Sequence, residues 1–192
     1  MKVVLIVVFT CLGFSAMAQN EDLPYYQIEE ESSSYNAGTM IARMIDGLGF
    51  RYFWATEGLT ISDLEYKPSA EARNSIETID HILNLSNTIL FTAKNKSVEG
   101  INLSELSFDE KRALTLQNLK AASNLFEANT NVSQNEIIFG SGENIRKFSI
   151  WNIINGPISD AIWHCGQIVS FRRASGNPMS SNISLLTGKV RS

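Results

Sequence analysis

Apolar residues recur at helical spacing in four segments of the chain. In the first segment, Met40, Ile41, Met44 and Leu48 fall on one face of a helix with 3.6 residues per turn. We therefore expect a first helix over about residues 37–57, with this face turned toward a core.

Two further helices are marked by start signals as well as by apolar spacing. Ser75 is a candidate N-cap before Ile79 and Ile82, which predicts a second helix that opens at Ser75. Ser107 and Glu110 have the spacing of a capping box, in which each side chain bonds to the backbone N–H of the other residue. They predict the start of a third helix.

The fourth helical segment runs over about residues 148–174 and contains a break signal. Gly156 and Pro157 lie inside it, and proline removes a backbone donor and crowds the preceding turn. A kink or a fresh start is expected there. The stretch before it, residues 127–147, is loop-like with a β-prone piece at 137–139.

Polar connections over residues 58–74 and 94–104 separate these segments. Four long amphipathic helices predict an all-α fold, and a four-helix bundle over residues 37–178 is the leading architecture. A polar, acidic arm is expected over residues 19–36 and a polar, basic tail over residues 179–192.

The first eighteen residues have the layout of a secretory signal peptide. Lys2 gives a short positive region, Val3–Phe9 an apolar core, and Ala16–Ala18 a cleavage site of small residues before Gln19. We expect export to a bacterial periplasm or to the exterior. A short membrane anchor or a buried first helix is the alternative interpretation.

Composition narrows the classes of partner. The chain of 192 residues has a net charge of −4, which argues against nucleic acid as the main partner, because phosphate binding requires a basic surface. No apolar run of transmembrane length lies beyond the signal segment, so we expect no membrane association after cleavage. A homodimer is a further expectation, because helical bundles with an exposed apolar face often pair.

Cysteine contributes little to the expected chemistry. Cys11 leaves with the signal segment, so Cys165 is the only cysteine of the processed chain, and no intramolecular disulfide can form. A lone cysteine within an apolar helix is typical of a small core residue. A nucleophile is the alternative.

The two histidines of the chain are the main candidates for chemistry. Asp160 lies four residues before His164, and Gln167 follows three residues later, so the three share one face of the fourth helix. His81 can face them if the second and fourth helices pack together. A buried carboxylate must be paired or bound to a metal. An ordinary ion pair between Asp160 and His164 on a solvated face is the alternative.

Two imidazoles and one carboxylate leave open positions on a metal, which suits zinc, ferrous iron or nickel. Gln167 could orient a ligand of this site, or it could form a hydrogen bond across closely packed helices. Arg172 could recognise a substrate carboxylate, or it could complement the dipole at the C-terminal end of its helix.

Two segments resemble the DinB-like (YfiT-like) family of helical bundles. They are residues 64–82, LEYKPSAEARNSIETIDHI, and residues 155–178, NGPISDAIWHCGQIVSFRRASGNP. The resemblance implies a four-helix bundle of up-down-down-up order and a divalent metal ion held by three histidines. His81 matches the first ligand and His164 the third. Asp160 stands where the family has its second histidine, which changes the charge of the site.

The same resemblance implies a range of activities. Family members include thiol-dependent transferases and isomerases, metal-dependent hydrolases and proteins of no known activity. We therefore expect a metal-dependent hydrolase or a thiol-dependent transferase, with a small-molecule substrate or a low-molecular-weight thiol as partner. The alternative is a non-catalytic binding or interaction module that has lost metal-dependent activity.

Overall fold

The computed structural model describes residues 23–191, and the predicted signal peptide lies outside them. The fold is mostly helical with little sheet, which confirms the all-α class. The helices and strands in chain order are α1 (Ala37–Thr56), α2 (Ile61–Glu65), α3 (Ser75–Ala93), α4 (Phe108–Glu127), β1 (Glu136–Phe139), β2 (Arg146–Ser149), α5 (Trp151–Ile153), α6 (Ser159–Ala174), β3 (Ile183–Ser184) and β4 (Lys189–Val190).

Capping boxes set where the long helices begin. The predicted box of Ser107 and Glu110 is present at the start of α4. At α3 the N-cap is Asn74 and not Ser75, because Asn74 Oδ1 accepts from the Glu77 N–H at 2.9 Å and Glu77 Oε2 accepts from the Asn74 N–H at 2.9 Å. Asparagine is among the strongest N-caps, and the Asn–Glu spacing completes the box one residue earlier than predicted.

The predicted break in the last helical segment is confirmed, but that segment begins later than predicted. Phe148 belongs to β2 and pairs with Ile137 of β1. After the short α5, residues Ile154–Ile158 form a single π-helical turn that contains Pro157. Proline cannot donate to an α-helical bond, and Ser159 Oγ donates to the Ile154 carbonyl at 2.5 Å. Gly156 has non-helical backbone angles, φ −91° and ψ −108°, so the chain kinks there before it enters α6 at Ser159.

The segments outside the four long helices are more ordered than their composition indicates. The connection over residues 58–74 contains α2, and the stretch over residues 127–147 contains β1 and part of its antiparallel partner β2. In the tail, β3 and β4 form a second antiparallel pair. The N-terminal arm meets this tail, since the Ile28 N–H donates to the Gly188 carbonyl at 2.8 Å.

The four long helices bury a common core. Helix α1 packs against α4 and α6, and α3 also packs against α4 and α6. The expected contact between the second and fourth long helices is therefore present. Fully buried side chains from all four helices meet between them, and they include Ile45, Leu48, Ile79, Ile82, Leu119 and Ile168.

Cys165 lies in this core with 2% of its surface exposed. Burial raises the pKa of its thiol to about 12. The thiol is therefore protonated at neutral pH and packs as a small apolar side chain, as the sequence indicates.

Within residues 23–191, no helix combines the length and the apolar character that crossing a membrane requires.

Candidate metal centre

Packing of α3 against α6 brings the two histidines to one carboxylate. His81 Nε2 of α3 lies 3.1 Å from Oδ2 of Asp160, and His164 Nε2 lies 3.3 Å from the other carboxylate oxygen, Oδ1. The ring centroids of the two histidines are 4.7 Å apart, and the rings are nearly perpendicular at 89°. One ligand atom from each of the three residues lies within 4.8 Å of the others.

Local sequence features place these side chains. Asp160 and His164 are four residues apart in α6, so their side chains lie one above the other on the face toward α3. Asp160 is in the first turn of α6, where a carboxylate is stabilised by the helix dipole. The π-helical turn directly before α6 sets the direction from which this carboxylate approaches His81.

The cluster is open to solvent on one side. The side chains of His81 and Asp160 are 32% and 42% exposed, whereas that of His164 is 14% exposed. A small molecule can therefore reach the cluster from outside, while His164 anchors its inner side.

Gln167 holds the inner histidine. Its Oε1 lies 2.7 Å from Nδ1 of His164, within the same helix. With Nδ1–H donating to this oxygen, the Nε2 of His164 is left to face Asp160 and His81. Metal-binding histidines are commonly oriented in this way through their second ring nitrogen. Among the described residues, Gln167 therefore contacts a ligand of the cluster, and its side chain makes no bond from α6 to another helix.

The donor set fits one divalent ion. Nitrogen and oxygen ligands bind zinc at about 2.0–2.2 Å, which places neighbouring ligands of a tetrahedral ion about 3.4 Å apart. The Nε2 atoms of His81 and His164 lie 3.1 Å and 3.3 Å from two different oxygens of Asp160, so a small rotation of the carboxylate would let one oxygen share an ion with both nitrogens. Three protein ligands leave at least one position open for water or substrate.

Arg172 does not join this cluster, so the structure does not support its predicted role in recognising a substrate carboxylate. It is 4% exposed, and its Nη1 donates to the carbonyls of Trp54, Ala55 and Glu57. Its Nε and Nη2 donate to the carbonyl and side-chain oxygens of Asn177. The guanidinium therefore satisfies carbonyl groups at the end of α1.

Asp63 belongs to the same buried region and was missed by the sequence analysis. Burial alone would raise the pKa of Asp63, but hydrogen bonds from Asn177, Ser175 and Thr60 outweigh it and hold the pKa well below its usual range. The only sequence signal is the spacing of Thr60 and Asp63, which form the capping box of α2. This carboxylate ties α2 to the end of α6.

Comparisons with family models and with curated protein sequences found no match. No family model matches the chain, and no curated protein sequence is significantly similar to it. The resemblance to DinB-like bundles therefore stays a prediction based on residues 64–82 and 155–178.

Proposed function

We propose that the protein is an exported, DinB-like four-helix bundle that holds one divalent metal ion at His81, Asp160 and His164. On this proposal it acts as a metal-dependent hydrolase or as a thiol-dependent transferase on a small molecule. The observation that carries the proposal is the convergence of two imidazoles on one solvent-accessible carboxylate.

Contacts between the long helices support the up-down-down-up order. Ser123 of α4 donates to the Ala42 carbonyl of α1, and Arg112, earlier in α4, donates to Thr56 at the end of α1. These two bonds fit antiparallel α1 and α4. Lys111 pairs with Asp80, and Asn118 bonds to Ser86, which fits parallel α3 and α4.

Contacts of the last helix support the same order. Arg172, near the end of α6, contacts the end of α1 at Trp54 and Ala55. Ile154, just before α6, lines a groove with Met44 from the first half of α1. These contacts fit a parallel α1 and α6, so that the first and last long helices run one way and the middle two run the other way.

The roles of the side chains follow from their positions. A divalent ion at this site would act as a Lewis acid and lower the pKa of a water or thiol bound to it. His164, fixed by Gln167, and His81 would hold the ion from two helices. Asp160 would contribute the one negative charge of the protein ligands. Zinc, nickel and ferrous iron all accept this combination of ligands.

Export rests on the sequence of the first eighteen residues. If the signal peptide is removed, mass spectrometry of the protein from its native host should give an N-terminus at Gln19. An intact Met1 in a cytoplasmic fraction would contradict export without bearing on the metal site.

The metal site is tested with protein purified without a histidine tag or chelators. Elemental analysis should find close to one divalent ion per chain after equilibration with zinc, nickel or ferrous iron. The melting temperature should rise with the logarithm of free metal, because only the folded chain assembles the three ligands. His81→Ala and His164→Ala should abolish this response.

Asn84→Ala is a matched control, because Asn84 is exposed on α3 and lies one turn beyond His81. It should respond to metal as the wild type does. If metal shifts the wild type and His164→Ala alike, the site does not exist, and a non-catalytic module becomes the better interpretation. Hydrolysis of chromogenic esters, with and without added glutathione and before and after chelation, then separates the two proposed activities.

A further inference from the structure

A large aromatic side chain is exposed to solvent beside the candidate metal centre. Trp163 is 72% exposed, although it sits within α6 between the ligand residues Asp160 and His164. On a helix, residues three or four apart are surface neighbours, so Trp163 adjoins both Asp160 and Gln167. Helical side chains also lean toward the N-terminal end of their helix, which carries the indole over the turn that contains Asp160.

The contacts of Trp163 differ from those of another tryptophan in the chain. The ring of Trp54 packs 5.2 Å from Tyr26 and 5.4 Å from Phe53, and its Nε1 donates to the Tyr26 carbonyl. Within residues 23–191, Trp163 makes no aromatic pair and no hydrogen bond through its indole. Its flat apolar face is therefore free, on the same side of α6 as the most exposed ligand of the cluster.

Charge at the centre indicates what kind of group would bind next to this face. The two positive charges of a divalent ion, less the one negative charge of Asp160, leave a net charge of +1. The two α3 acids that precede His81 are already engaged, because Asp80 pairs with Lys111 and Glu77 forms the capping box at the start of that helix. An anionic donor such as a thiolate, a carboxylate or a hydroxamate would neutralise the site.

We propose that Trp163 determines the substrate class of this centre. The ligand carries an anionic donor that binds the metal and, attached directly to it, a flat unsaturated ring that stacks on the Trp163 indole. This inference rests on the proposed metal site and adds to it the chemical class of the molecule that the site selects.

The test compares two metal-binding acids that differ only in the ring. Benzohydroxamic acid and acetohydroxamic acid are titrated into zinc-loaded protein by calorimetry. Stacking on an aromatic side chain contributes a preference of about 3- to 10-fold for the aromatic acid in the wild type. In Trp163→Ala the wild-type preference should fall by this factor, and Trp163→Phe should retain part of it.

Trp151→Ala is the matched control. Trp151 is 75% exposed but lines an apolar groove with Met40 and Met44, so its removal should leave the preference unchanged. A preference that persists in Trp163→Ala, or that falls equally in Trp151→Ala, would overturn the role of Trp163 while the metal site stands. If zinc binds but neither acid does, the proposed ligand class is wrong while the metal site stands, and if zinc itself does not bind, both proposals fail. Circular dichroism of each variant confirms that the helical fold is intact.

Discussion

His81 Nε2 lies 3.1 Å from Oδ2 of Asp160, although 79 residues separate the two in the chain. The contact forms where α3 and α6 pack side by side, and the π-helical turn ends at Ile158, two residues before Asp160. The second oxygen of the same carboxylate faces His164. One acid therefore holds both imidazoles in place, and the three potential ligands are already gathered in the folded chain.

Replacement of Asp160 by histidine tests whether this acid is a metal ligand. Asp160→His should keep zinc binding or tighten it, because imidazole is a competent third ligand and the family that the sequence resembles uses three histidines. Asp160→Ala should weaken binding strongly, because two ligands hold zinc poorly. Zinc affinity measured by competition with a chromogenic chelator checks both variants.

Unchanged zinc affinity in Asp160→Ala would show that Asp160 pairs with the histidines but does not bind the metal. If Asp160→Ala binds zinc as the wild type does, the ion is not held by this carboxylate. Glu71→Ala serves as a control, because Glu71 is an exposed acid in the connection before α3. It should leave zinc affinity unchanged.

Gln167 should control metal affinity without touching the metal. Loss of a side chain that orients a ligating histidine typically costs 10- to 100-fold in affinity. Gln167→Leu should therefore weaken zinc binding by about 10-fold or more, whereas Gln167→Glu, which keeps the acceptor for the Nδ1–H of His164, should retain it. Calorimetric titration with zinc measures the difference.

Ser170→Ala controls for changes to the exposed side of α6. Ser170 Oγ bonds only to the Gly166 carbonyl of its own helix. Equal zinc affinity in Gln167→Leu and Ser170→Ala would mean that the 2.7 Å contact with His164 has no part in metal binding.

Local patterns were sufficient to predict the long helices and the residues of the cluster. Apolar spacing predicted α1, and the Ser107–Glu110 box predicted the start of α4. Both could be recognised in the sequence because each signal depends only on neighbours within one or two turns. Asp160 and His164 were recognisable as a pair for the same reason. Placing His81 beside them required only that two predicted helices pack together, which the structure shows.

Features that depend on distant contacts were not predictable in the same way. Arg172 is two or three turns beyond the cluster on the same helix, and nothing local shows that it meets carbonyls 115 to 118 residues earlier in the chain. The pairing of Phe148 with Ile137 likewise depends on a turn between two short strands. Periodicity alone assigned Phe148 to the following helix.

Arg172 should matter for stability and not for metal binding. Arg172→Met keeps much of the apolar volume but removes the donor from three carbonyls at the end of α1, of which that of Ala55 is buried and those of Trp54 and Glu57 are partly buried. Each unsatisfied buried polar group costs about 1–3 kcal/mol, so we expect a loss of about 3 kcal/mol in the free energy of unfolding. Chemical denaturation checks this value, and zinc affinity should be unchanged.

Arg173→Met is the comparison for this loss, because Arg173 is the exposed neighbour of Arg172. A surface substitution of this kind changes stability by about 0.5 kcal/mol or less. Similar losses in the two variants would show that the bonds of Arg172 to α1 do not stabilise the fold.

Asp63 should make the stability of the protein fall in acid. Its carboxylate accepts hydrogen bonds from Thr60, Ser175 and Asn177, which hold its pKa in the folded state well below the value near 3.9 of an unfolded chain. The unfolded chain therefore takes up the proton first as pH falls. The stabilisation is fully present above about pH 5 and is lost progressively as pH falls through 4 toward the folded-state pKa.

Asp63→Asn isolates this contribution, because an amide removes the titration and places a donor where four donor groups from three residues already converge. At pH 7 the variant should be less stable than the wild type, and the difference should shrink as pH falls below about 4. Glu71→Gln, at an exposed acid outside this network, should follow the wild type throughout. Urea denaturation of the three proteins between pH 7 and pH 3 measures the differences. A gap between the wild type and Asp63→Asn that stays constant over this range would mean that the carboxylate is not held ionised by its partners.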